Sequence, residues 1–323
     1  MDVSVDVYQP LSHDHGEYDS RAQGPRGKHL LSPRTFMNES DQSYTVTPDT
    51  ATTSRVDLTD AAAARGDVAC ASHIGLRHET NQDAAALGID SSGRHIVLVV
   101  ADGVSSTEGA EECARVASHT ARDYLTATMD QGIPTNDDGI VTLFERTFRK
   151  AHETVASRPD PIGACTLAAA IATQDHIIVG NIGDTRTYWF PDGGDAIRLS
   201  IDDSMAQAQM DLGLSREEAE RGIGAHAITK WIGASATDVT PRVMAYHPQQ
   251  SGWLLVCSDG LWNHVPDSDD LGRLMTSLIR KAQTDGHGHA SPADVADGLI
   301  AHANNCCLLY TSPNPRDQRG SRM

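Results

Sequence analysis

Several apolar runs in this chain end at a carboxylate beside a glycine. HIVLVVADGVSS (95–106) stops at Asp102-Gly103, GWLLVCSDGLW stops at Asp259-Gly260, and HIIVGNIGDTR places Gly183 directly before Asp184. A further acid, Asp83, lies in TNQDAA. A buried carboxylate must neutralise itself or find a cation. A following glycine lets the backbone turn sharply and brings its carbonyl close to a ligand. One Asp-Gly alone reads as a hairpin turn. Two of them, each closing a core-type run, together with Asp83 and Asp184, point to hard oxygen ligands converging from separate strands. That donor set suits Mg²⁺ or Mn²⁺, and paired ions of this kind activate water toward a phosphoryl group. Metal-assisted phosphate chemistry is the leading expectation.

The elements that must position these acids are legible in the periodicity. GDVACASHIGLR and HIVLVVADG read as strands. TEGAEECARVASHTARDYLTAT follows with Ala114, Ala117, Ala121, Tyr124 and Leu125 at helical spacing behind a Thr107 cap. GIVTLFERTFRKAHETVAS sets Val141, Phe144, Phe148, Ala151 and Val155 on one helical face. Strands resume in GACTLAAAIAT, HIIVGNIGD, RTYWFPDGG and AIRLS, joined by short turns that suit hairpins. A polar helical insert, DDSMAQAQMDLGLSREEAERG, precedes two strands in PRVMAYHPQQSGWLLVCSDG, and helices close the pattern at about 266–283 and 292–303. Grouped strands alternating with grouped helices argue for an α+β layered sandwich.

Residues 1–64 carry few aliphatic residues and no sustained period, and read as a flexible extension. Within them Gly24, Gly27 and Lys28 have the wrong spacing for a phosphate loop, and His13 and His15 read as solvent-facing. The 26 Lys and Arg against 44 Asp and Glu give a net charge of −18, the wrong sign for nucleic acid or an anionic membrane. No stretch approaches the roughly 18 apolar residues of a membrane helix, and the polar start does not read as a signal peptide, so a cytoplasmic monomer is expected. The six cysteines include no C-x-x-C; Cys70, Cys113, Cys165 and Cys257 sit in packing patterns rather than a disulfide framework.

From about 67 to 305 the chain resembles the metal-dependent protein Ser/Thr phosphatases of the PP2C (PPM) family. The resemblance is carried in order by SHIGLRHETNQDA, VVADGVSSTEGAEECARVAS, GACTLAAAIATQDHIIVGNIGDTRTYWF, RLSIDDSMAQ, HAITKWIGA and LLVCSDGLWNHVPD. It implies a four-layer α-β-β-α sandwich, two antiparallel sheets flanked by helices, over residues 65–305, with a flap at about 204–230. It also implies a centre of two Mn²⁺ or Mg²⁺ ions. Asp102 would bridge them, Asp83 and the Gly103 carbonyl would serve one, Asp259 would serve the other, and Asp184 would help hold a third, weaker ion. Hydrolysis of phosphoserine or phosphothreonine in protein substrates by a metal-activated water follows, with a Ser/Thr kinase or its targets as partners. DGVSS, without a histidine after Asp-Gly, resembles bacterial members.

Two places depart from the family pattern. The phosphate-holding arginine is replaced by His78, with Arg77 one residue earlier; neighbours on a strand face opposite sides, so His78 in its protonated form is the favoured phosphate holder, and Arg77 takes the role only if the strand is bulged. At the other end the family closes with an Asp-Asn pair and a last strand, that Asp being a further ligand. Here residues 306–323 read CCLLYTSPNPRDQRGSRM, a tail foreign to the pattern in which Asp317 is a poor substitute. The expectation is a missing strand and a missing acid. The rival reading is therefore a catalytically weak or inactive regulatory or binding module on the same fold. A haloacid-dehalogenase-type hydrolase is disfavoured because VVADGVSS lacks Asp-x-Asp. His287 and His289 read as a loop, and Trp189, Trp231, Trp253 and Trp262 as packing residues, with Trp262 a candidate to line the cleft.

Overall fold

A computed structural model describes residues 2–9, 56–58, 67–75, 80–158, 163–222, 224–286 and 288–311. Arg77, His78, His13, His15, Gly24, Gly27, Lys28, His287 and Asp317 lie outside the described residues. One sheet runs in the order β10 (Ile197–Arg198), β9 (Arg186–Pro191), β13 (Gly252–Cys257), β1 (Val3–Tyr8), β3 (Val68–His73), all antiparallel. The other runs β12 (Arg242–Tyr246), β8 (Ile177–Ile182), β7 (Leu167–Ala172), β5 (Ile96–Ala101), β4 (Ala84–Ile89), β2 (Val56–Leu58). Its β2–β4 pair is parallel and the rest antiparallel. A small ladder joins β6 (Ala164–Cys165) to β11 (Ile232–Gly233).

The central strands are buried on both faces, which is why LAAAIA and IVLVVA read as continuous apolar runs instead of alternating. Three cores make the expected α-β-β-α stack. Helices α1 (Ala110–Met129) and α2 (Asp137–Ala156) cover β4, β5, β7 and β8 through Ala114, Ala117, Leu125, Phe144 and Phe148. Leu98, Val100, Leu254, Val256 and Trp189 fill the space between the sheets. Val3, Val5, Val7 and Leu255 meet α6 (Ser268–Asp285) and α7 (Pro292–Thr311) through Leu271, Met275, Val295 and Leu299. Among the described residues no helix is long and apolar enough to cross a membrane.

Some sequence expectations need correction. The residues assigned to a flexible extension include β1, which lies between β13 and β3 with Val3, Val5 and Val7 fully buried. This sheet is therefore not short of a strand. Gln9 N–H donates to Asp67 O at 2.9 Å, so the end of β1 and the approach to β3 stand side by side. Asp6, facing between the sheets, is fully buried; burial drives its carboxyl well above the usual range, opposed by Cys70 and the Val99 backbone.

Thr107 does not cap α1. Gly109 does, in the left-handed region, while the Thr107 hydroxyl accepts the Ala164 N–H at 3.0 Å. Val141 is 40% exposed because Ile140 takes the inward position at that turn. The last helix continues through Thr311, past the 303 expected. The segment at about 204–230 holds α3 (Met205–Asp211) and α4 (Arg216–Glu220) around Ala206, Ala219 and Ala225. Its turns are set locally: Ser204 accepts the Gln207 N–H, and Ser215 with Glu218 forms a reciprocal capping box.

Candidate metal centre

The acids meet because strand register brings their ends together. Ala84 of β4 pairs with Ala101 of β5, so Asp83 and Asp102 are the next residues beyond that pair. Asp259 follows β13 and opens α5 (Asp259–Trp262). Asp184 follows β8 across Gly183. Asp83 is 1% exposed and Asp184 8% exposed, values that require compensation for a carboxylate.

Asp102 lies in hydrogen-bond contact with both Asp83 and Asp259. Burial, then the charges of Asp83, Asp259 and Asp184, raise its carboxyl well above the ordinary range. Burial and then Asp2 raise Asp83. Burial raises Asp259, opposed by its hydrogen bond with Asp102. Asp184 is pushed up to about 7 by burial, then by Asp259 and Asp202, with Arg186 opposing. Among the described residues no three acids already stand as a ligand shell around one point; the charge on each carboxylate raises its neighbours, as crowded acids do.

The backbone around the acids is tightly specified. Asp102 N–H donates to Thr166 Oγ1 at 3.1 Å, and Thr166 N–H returns to Asp102 O at 2.8 Å. A Cβ on Gly103 would stand 2.6 Å from Gln82 O and 2.9 Å from Ala110 O, so the turn after Asp102 closes only around a glycine. Asp83 N–H donates to Asn81 Oδ1 at 3.1 Å, and Ser258 Oγ donates to Asp83 Oδ2 at 2.7 Å.

Asp184 is held from behind. Trp262 Nε1 donates to its carbonyl at 2.9 Å, and the Arg186 guanidinium lies 3.6 Å over the Trp262 ring while forking onto Asp202. Trp262, 2% exposed, therefore packs behind the site and does not line a cleft.

Of the residues singled out from sequence, Asp83, Asp102, Gly103, Asp184 and Asp259 gather at one end of the sandwich. One neighbour was missed. Asp2 is 5% exposed, and its Oδ2 accepts the Gln82 N–H, one residue before Asp83. Its signal lay in MDVSVDVY, where Val3, Val5 and Val7 alternate with polar residues directly after the acid. The donor set fits a hard divalent cation: buried carboxylates on rigid strands, with a glycine carbonyl beside the central one.

A sequence model of the family described as "Protein phosphatase 2C" matches residues 71–299. The serine/threonine phosphatase stp of Listeria innocua is 26% identical over 238 residues, covering 71% of this chain and 86% of that protein. The S. agalactiae serine/threonine phosphatase structure superposes with a TM-score of 0.56 at 24% identity, covering 72% of this chain and 91% of that one. The catalytic domain of the serine threonine protein phosphatase PstP, solved in complex with two manganese ions, gives a TM-score of 0.50 at 24% identity, covering 72% and 88%. The family match spans most of the chain, and the chain belongs to the protein phosphatase 2C family.

Proposed function

We propose that this chain hydrolyses phosphoserine and phosphothreonine in protein substrates, with divalent ions held at the Asp83–Asp102–Asp259 cluster. The observation that carries the reading is the central place of Asp102, hydrogen-bonded on one side to Asp83 and on the other to Asp259, all three from different strand ends. Asp102 would be a ligand common to two ions, with Asp83 and the Gly103 carbonyl serving one and Asp259 the other. Asp184, beside Asp102 and Asp259, would attend a third, weaker ion. Manganese is favoured over magnesium because the PstP structure contains it.

Bound ions would supply Lewis acidity toward water and the phosphoryl oxygens. The chain's own part is positioning. The β4 and β5 register fixes Asp83 against Asp102, Thr166 clamps the Asp102 backbone, and the Trp262–Arg186 stack fixes Asp184. His78, or Arg77, holds the substrate phosphate. A monomer acting in the cytoplasm on the targets of a Ser/Thr kinase completes the reading.

The test is hydrolysis of a phosphothreonine peptide with manganese, with a chelator, and with Asp102→Asn or Asp259→Asn. Each loss of a ligand is expected to cost several kcal/mol of transition-state stabilisation, roughly a hundredfold or more in rate. Manganese binding without turnover by the intact chain would instead favour the regulatory-module reading.

A further inference from the structure

We propose that Asp2, carried at the head of β1, supplies a carboxylate to the same divalent-metal centre as Asp83, Asp102 and Asp259. The inference rests on the reading above and adds a ligand from a part of the chain far from the others in sequence.

The placement follows from β1's register. Val5 pairs with Cys257 on one side and with Ala71 on the other, so β1 runs antiparallel to both neighbours and its first residues reach the end of β13 where Asp259 begins. Ser4 and Ser258 lock this end: Ser258 N–H donates to Ser4 O at 3.1 Å, and Ser4 N–H donates to Ser258 Oγ at 3.0 Å. Ser4 Oγ donates to Ser72 Oγ at 2.8 Å, and Asn81 Nδ2 donates to that same oxygen at 2.8 Å, tying β1 to the segment that carries Asp83.

Side chains alternate across a strand. Val3, Val5 and Val7 pack outward against the α6–α7 layer, which places Asp2, Ser4, Asp6 and Tyr8 on the opposite face, the one shared with Asp83. Asp2 takes the Gln82 N–H there, and its charge acts on both Asp83 and Asp259.

A second feature is shaped around the same residue. A Cβ on Gly260 would stand 1.8 Å from the Asp2 carbonyl oxygen, so the glycine after Asp259 is what admits the head of β1 to this position. Acids brought this close repel one another unless protons or a cation lie between them.

Asp2→Asn separates the two roles, because the amide oxygen still accepts the Gln82 N–H while the charge is gone. Manganese binding is read by electron paramagnetic resonance of free Mn²⁺ and by calorimetry on the full chain, with Asp6→Asn, further along the same strand, as control. The expected result is a loss of at least about tenfold in affinity for one of two ions in Asp2→Asn, with unchanged binding in Asp6→Asn. Unchanged binding in a folded Asp2→Asn would overturn the inference and leave the phosphatase reading standing. Failure of the intact chain to bind manganese at all would overturn both.

Should Asp2→Asn not fold, magnesium titrated into ¹³C-labelled intact chain decides the matter. A shift of the Asp2 carboxyl carbon in step with that of Asp259 supports the inference, and an unmoved Asp2 carboxyl carbon at saturation overturns it.

Discussion

Ser258 Oγ donates to Asp83 Oδ2 at 2.7 Å while accepting the Ser4 N–H at 3.0 Å. One hydroxyl thus joins a core strand to an acid of the candidate metal centre, with all three groups shielded from solvent. The strand that completes the sheet and the residues that would hold the ions are parts of one hydrogen-bonded unit.

Ser258→Ala removes both bonds without filling space. The Ser4 amide loses an acceptor in a dry setting, which costs about 1–3 kcal/mol. Asp83 loses a hydrogen bond that holds its carboxyl down against burial and the charge of Asp2. The variant should unfold at lower urea in the metal-free state and bind manganese roughly 10–100-fold more weakly. Wild-type affinity in calorimetry would show that Ser258 serves the fold alone.

The crowded acids give the metal-free protein an unusual response to pH. Burial and then neighbouring acids raise Asp83 and Asp102, and Asp184 is pushed up to about 7. Between the unfolded carboxylate value of about 4 and this range, the folded state holds protons that the unfolded state has released. Stability contributed by these groups is therefore present below about pH 4 and is lost as pH rises toward 7 and beyond. Thermal midpoints in chelator should fall from pH 5 to pH 7.5. With excess manganese the trend should weaken or reverse, because the ions replace the protons. Parallel profiles with and without metal would contradict a metal centre built from these acids.

The sequence exposed most of this site because its acids sit at the ends of long apolar runs. Asp102, Asp259 and Asp184 each follow a strand whose burial on both faces removes ambiguity, and Asp83 directly precedes another. What it concealed was tertiary. β1 is six residues long and far from its partner β3 in sequence, so its pattern is hard to tell from noise inside a polar stretch. Only sheet pairing shows that Val3, Val5 and Val7 are core. The Arg186–Trp262 stack was equally hidden, since neither residue belongs to a periodic pattern that announces the other.

That stack makes a separate prediction. Arg186 meets Asp202 through Nε at 3.1 Å and Nη2 at 2.6 Å, both residues buried, while its flat face lies on Trp262. Lysine carries the same charge but neither the fork nor the flat cation. Arg186→Lys should therefore lose about 1–3 kcal/mol of stability and shift the Trp262 emission, with Asp184 less firmly held. A stability change within about 0.5 kcal/mol, as for a surface site, would show the stack to be incidental.

The place of β1 yields the most decisive test of the fold. Burying Val3, Val5 and Val7 stabilises the domain by roughly 1.5–3 kcal/mol each, against a total of about 5–15 kcal/mol for a typical domain. Removing β1 also uncovers the edges of β13 and β3, which then template intermolecular pairing. A chain starting at residue 65 should aggregate or unfold during purification. Residues 10–66 are a different matter, because Gln9 and Asp67 already share a hydrogen bond at 2.9 Å. Of the described residues, a short Gly/Ser linker between Gln9 and Asp67 removes the three-residue β2 from the edge of the second sheet, and a shorter connection lowers the closure cost. This linked chain should stay monomeric, unfold cooperatively in urea and bind manganese like the intact chain. If the chain starting at 65 instead unfolds with the same free energy as the intact one, β1 is not part of the core.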